Sequence, residues 1–133
     1  MFSGPHIRKR QITTHPSVLR AVVEQVEIME PASIIVGDNP GVFSYGANEE
    51  AFIKTGLMEA AKGYYQNIGN DSAKVDFNPD FMPTISISRI ILESEFIISV
   101  PRFKTHGLTI VSGGIKNSYG FLPGAQKARL HCR

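Results

Sequence analysis

Residues 13–41, TTHPSVLRAVVEQVEIMEPASIIVGDNPG, decide the fold. Thr13-Thr14-His15-Pro16 marks a helix start, with hydroxyl side chains suited to capping and a proline suited to the first turn. Leu19, Val22, Val23 and Val26 then recur at helical spacing, with Arg20, Glu24 and Glu27 on the other side. Pro31 ends the helix. Ser33-Ile34-Ile35-Val36 is a short run of branched apolar residues that reads as a buried strand, stopped by Gly37-Asp38-Asn39-Pro40-Gly41. Helix, short loop, apolar strand and glycine turn together predict an α/β layered fold, a mainly parallel sheet flanked by helices.

The rest of the chain extends this pattern. Residues 48–55 and 57–67 read as two short helices separated by Gly56. Residues 73–77 read as a strand, 78–83 as a loop, and 85–91 and 96–100 as further strands joined through Glu93-Ser94-Glu95. From Gly107 onward, Leu108, Val111 and Ile115 share one helical face and Thr109, Ser112 and Lys116 another. Gly113 and Gly114 weaken that helix, so a loop or broken helix is the alternative.

The chain has 133 residues, one domain's worth, with 42% hydrophobic and 20% charged residues, as in an ordinary globular protein. No apolar run reaches membrane-spanning length, and the N-terminal segment lacks the apolar stretch of a secretory signal, so a cytoplasmic location without a membrane partner is expected. The single cysteine, Cys132, excludes an internal disulfide and a metal or cluster site built from several thiolates of this chain. Net charge is only +2, but all 12 acids fall between Glu24 and Glu95, leaving basic segments on either side.

The chemistry concentrates in residues 98–124, ISVPRFKTHGLTIVSGGIKNSYGFLPG. From Pro101 to Arg133 the chain carries Arg102, Lys104, Lys116, Lys127, Arg129 and Arg133 and no carboxylate. Such a run points to a negative ligand or partner. Lys104-Thr105-His106 follows an expected strand end, where open α/β sheets place their ligands. Lys116 and Asn117 join it if the following segment folds back. Ammonium groups, hydroxyls and glycine N–H groups, here Gly113 and Gly114, are the chemistry of anion binding. The reference pKa of a histidine side chain lies near neutrality, which makes His106 a candidate proton shuttle. Alone, these residues read more readily as a surface lysine, a cap and a capping or packing histidine; the family resemblance described below turns the balance toward a site. Asp38 could orient a ligand hydroxyl, bind a metal or hold Lys104, though on sequence alone Asp-Asn-Pro-Gly reads more readily as an ordinary turn. Ser44 and Tyr45 are weaker candidates for covering the site. The Gly113–Asn117 segment lacks phosphate-loop spacing, and His15, Asp38, His106, His131 and Cys132 form no ligand pair at helical or hairpin spacing, so no protein-built metal site is expected. Phe103, Tyr119 and Phe121 form no stacking motif, which argues against nucleic acid as a partner.

Taken in order, THPSVLRAVVEQV, IIVGDNPG, the strand ending VPRFKTH, GGIKNSYGFLPG and KARLH resemble the blocks of the domain of unknown function 362 family, from about residue 13 to 133. The Pro-x-x-Lys-Thr-His and Lys-Asn blocks are the most specific. The resemblance implies an architecture and a candidate site more than a reaction. Many members carry a ferredoxin-like module with cysteines at cluster-binding spacing; this chain has none, so any iron–sulfur cluster would sit on a fused or partner module. Against the family pattern the chain also looks short at both ends, which implies a single partial α/β domain over 1–133.

The combined expectation is a small phosphate or carboxylate ligand held by Asp38, Thr105, Gly113, Gly114, Lys116 and Asn117. Lys104 and His106 are the candidate catalytic pair, in a process linked to redox or iron–sulfur chemistry. The alternatives are a non-catalytic scaffold or maturation module that docks an acidic ferredoxin-type protein, and a truncated remnant.

Overall fold

The computed structural model describes residues 13–39, 47–107 and 110–131. The first helix, α1 (Pro16–Ile28), starts where the sequence predicts, but its cap differs. His15 is the N-cap, and its Nδ1 accepts from the Ser17 N–H at 3.2 Å. The Thr14 hydroxyl is used elsewhere, donating to the Val100 carbonyl at 2.5 Å. Val23 is the buried centre of the helix's apolar stripe, with Leu19, Val22 and Val26 half-buried beside it. At the far end Glu27 accepts from the Tyr64 hydroxyl at 3.0 Å and pairs with Lys62, clipping α1 to the turn after α3.

Helices α2 (Asn48–Thr55) and α3 (Leu57–Ala60) are divided by Gly56, which adopts φ 77°, the left-handed conformation that glycine takes without steric cost. The helix expected over 57–67 stops early. Lys62 and Gly63 take positive φ, 54° and 88°, and turn the chain back so that Tyr65 bridges Val36 in parallel. Phe52 and Tyr65 pack there with ring centroids 4.7 Å apart.

The mainly parallel sheet does not form. The strands pair as two antiparallel hairpins, β1 (Ser72–Asn78) with β2 (Met82–Ser88), and β3 (Lys104–His106) with β4 (Ile110–Ser112). The reason is local at the first hairpin. Asn78 Oδ1 accepts from the N–H groups of Asp80 and Phe81, a side-chain turn that reverses the chain and fixes the register Ser72↔Ser88 through Asn78↔Met82. Strand β2 therefore begins inside the expected loop and ends at Ser88, where α4 (Arg89–Glu93) replaces the second half of the expected strand 85–91. Of the two segments read as buried parallel strands, 33–36 contributes a single bridge, at Val36. Residues 96–100 form no strand, and Phe96 is 89% exposed.

After β4 come one helical turn, α5 (Gly114–Asn117), a 3₁₀ turn (Ser118–Phe121) and α6 (Gly124–His131). The helix expected from Gly107 is thus a hairpin followed by a short turn; Leu108 and Thr109 lie outside the described residues. The core gathers Val23, Phe52, Ala60, Ala61, Ile68, Met82, Ile85 and Leu122. Met82 is the largest fully buried side chain, and burial of that size contributes about 1.5–3 kcal/mol. Helix α6 closes over it, with the Gln126 amide donating to Met82 Sδ at 3.1 Å. No helix among the described residues is long and apolar enough to cross a membrane.

Candidate functional site

The Gly37-Asp38-Asn39 turn is fixed by close backbone approach. A Cβ on Gly37 would stand 2.6 Å from Ile68 Cγ2 and 2.7 Å from the Gln66 carbonyl oxygen, so only glycine fits between the two segments. The next residues knit the turn to the C-terminal part of the chain. Asn39 is buried; its amide donates to the Gly120 carbonyl at 2.8 Å and, more weakly, to that of Leu122 at 3.4 Å. Its Oδ1 accepts from Asn48 at 2.9 Å, and the same Asn48 amide donates to Asn67 at 2.6 Å. Asn67 Oδ1 in turn accepts from the Gly69 N–H. From α6, Lys127 Nζ donates to the Asn39 main-chain carbonyl at 2.9 Å. A buried network with each member partnered fixes one loop geometry.

That geometry presents Asp38 to an open cleft of about 2240 Å³, broad enough to run from α1 and α2 past the segment before β3 to α6. Of the residues expected at the site, Asp38, Lys104, Thr105, His106, Gly113, Lys116 and Asn117 all line it; Gly114 does not. The cleft also takes in Tyr119, Gly120 and Lys127. Asp38 keeps surface open to the cleft, yet the surrounding protein desolvates its carboxyl group. Burial raises the Asp38 pKa; the charges of Lys127 and Lys104 and the hydrogen bond from the Asn39 N–H, 2.8 Å, oppose it.

The lysines respond to one another. The Lys104 pKa is lowered, first by desolvation and then by the like charges of Lys116 and Arg102, with Asp38 acting in the other direction. Lys127, only 3% exposed, is lowered to about 8, again chiefly by burial, with Lys116 adding to the shift and Asp38 opposing it. Three ammonium groups thus interact there, and the Asp38 carboxylate acts on two of them, Lys104 and Lys127.

The positions differ from the sequence expectation in several respects. Lys104-Thr105-His106 does not follow a strand end; it is β3. Strand alternation gives Lys104 and His106 the half-buried face and Thr105 the exposed one, so Thr105 does not share their side. Gly113 and Gly114 open a helix of a single turn, and Phe103 packs against Gly113, so they form a joint more than a cradle. Asn117 donates to the Ser99 hydroxyl at 3.0 Å, which secures α5 to the extended segment before β3. Ser44, Tyr45 and Cys132, and the side chain of His131, lie outside the described residues. Among the described residues no three of His, Cys, Asp and Glu converge to hold a metal. With one cysteine, the chain itself does not supply the set of thiolates that an iron–sulfur cluster needs.

Sequence reasoning does not single out Lys127 or Asn39 as site residues. Lys127 stands in the acid-free run and opens the KARLH block, which is the signal that could have found it. Asn39 reads as a turn residue, and nothing in its neighbours announces a partner 81 positions away.

Neither the comparison with curated proteins nor that with solved structures gives a match. The protein-family comparison gives one that covers essentially the whole length: the chain belongs to the domain of unknown function 362 family (DUF362), whose model it matches over residues 2–133.

Proposed function

We propose that this chain binds a small anion, a phosphate or a carboxylate compound, in the cleft between the Asp38 turn and the β3–α5 segment. The observation that supports it is the gathering of Lys104, Lys116 and Lys127, close enough that burial and the charge of Lys116 depress the pKa of the other two although Asp38 opposes it. An anion relieves that repulsion and replaces water that the walls have already displaced. Lys104 and Lys116 supply the charge, and Asn117, anchored on Ser99, and His106, on the Lys104 face of β3, complete the wall. Proton transfer by His106 beside a lysine-held anion is the simplest reaction such a site would run, and a redox or iron–sulfur-linked setting would need a separate ferredoxin-type module.

Calorimetric titration with inorganic phosphate and with acetate tests the reading. Saturable binding of one of them, weakened at least about tenfold in Lys104→Ala, is the expected result; one well-placed charge-assisted contact is worth about 1.5–3 kcal/mol. No saturable binding of either anion sinks it. Exposed Phe103 and Ile115 next to Arg102, Lys104 and Lys116 favour a second reading, a docking face for an acidic ferredoxin-type protein. In that case single lysine changes cost little, and added salt weakens binding steeply.

A further inference from the structure

Lys127 is not needed to hold an anion that Lys104 and Lys116 already meet, and its surroundings suit another task. It projects from α6, is almost wholly buried, and still lines the cleft. Its Nζ is aimed by the Asn39 carbonyl at 2.9 Å, a neutral acceptor that positions an amine without demanding that it be charged. The charge of Lys116 discourages a proton on Nζ, and Asp38 lies within electrostatic reach. An amine held in this way, beside another cation and a desolvated carboxyl group, is arranged for attack on a carbonyl.

We propose that Lys127 is a carbonyl-reactive amine, and that the ligand is a small 2-oxo acid whose carboxylate sits at Lys104 and Lys116 while Lys127 forms an imine with its carbonyl carbon. This rests on the anion-site reading and names the ligand class for it. In the step, the Nζ lone pair forms the C–N bond as the carbonyl π bond opens, and the nitrogen proton passes to the oxygen to give a carbinolamine. A proton from solvent goes to the departing hydroxyl, water leaves, and a protonated imine remains within electrostatic reach of Asp38. Nothing is oxidised or reduced. Burial brings the Lys127 pKa down to about 8, so the neutral amine that attacks is available near that pH.

The test is to treat the full chain with pyruvate and cyanoborohydride at pH 8, which reduces an imine to a stable carboxyethyl amine, and to map the adduct by peptide mass spectrometry. At that pH an amine with a pKa of about 8 is about a hundredfold richer in the neutral form than an ordinary lysine, so even with restricted access Lys127 should label at least about tenfold faster than the six others. Acetate should slow the labelling, and Lys127→Arg, which keeps the charge, should abolish it. The wild-type map locates the adduct by itself, so the outcome does not depend on that variant folding. A fast adduct on Lys104, indiscriminate surface labelling, or saturable pyruvate binding without adduct overturns the proposal and leaves the anion site standing. Absence of saturable binding by pyruvate, phosphate and acetate alike overturns both.

Discussion

Replacing Asn39 by alanine removes one side chain and disturbs three segments. The side chain donates to the Gly120 carbonyl at 2.8 Å and accepts from Asn48 at 2.9 Å, both in buried surroundings. A net hydrogen bond contributes about 1 kcal/mol, and a buried group left without its partner costs about 1–3 kcal/mol. Asn48 keeps its bond to Asn67, so most of the penalty falls on the Gly120 carbonyl. The expected loss is about 2–4 kcal/mol, a large share of the 5–15 kcal/mol typical of a domain. Urea unfolding followed by circular dichroism measures it as a fall in midpoint at constant slope. Asn48→Ala completes a double-mutant cycle in which the pair should couple by at least about 0.5 kcal/mol. A loss below about 0.5 kcal/mol together with strict additivity would refute the claim that this amide network holds the turn.

Two further outcomes follow from the same region. Gly37→Ala forces a Cβ to within 2.7 Å of a main-chain oxygen, which cannot swing aside as a side-chain tip can; a loss of about 1–3 kcal/mol is expected in the same urea assay, and a neutral result would count against the close packing of that turn. Stability should also depend on the Lys127 proton. With the folded pKa lowered from the ordinary 10.5 to about 8, the unfolded chain holds the proton more tightly, so the cost of a buried charge is fully present below pH 8. It is relieved as pH rises from about 8 to 10.5, by at most about 3.5 kcal/mol at about 1.4 kcal/mol per tenfold change in proton affinity. Wild type should therefore gain on Lys127→Met between pH 7 and 9.5, and parallel pH profiles for the two would contradict the shift.

What the sequence reveals and what it hides divide along the range of the interactions. Helix α1 is legible because Leu19, Val22, Val23 and Val26 carry its period and Pro16 and Pro31 bracket it; only the identity of the cap escapes, since His15 takes the place that Thr13 and Thr14 suit equally well. Strand 73–77 and the break at Gly56 are legible for similar local reasons. The antiparallel pairing is not, although Asn78 and Pro79 hint at a reversal, because the apolar alternation along β2 runs on into Ile90-Ile91, which belong to α4. Branched apolar runs at 33–36 and 96–100 look like buried strands whatever they pair with, and composition does not specify a neighbour. At the site, the lysines of the acid-free run declare their chemistry. The side-chain direction of Thr105, the role of Asn39 and the burial of Lys127 depend on register and on contacts across most of the chain.

The Asn39 carbonyl and Lys127 are 88 positions apart, and the Asn39 amide and the Gly120 carbonyl 81. Closing so long a loop carries an entropic penalty that local hairpins avoid, so β1–β2 can form early while the Asp38 turn waits for α6 to dock. The cleft is then bordered by segments from the start, the middle and the end of the chain. Whatever occupies it pulls on both sides at once, and its binding free energy adds to the cohesion of the whole fold.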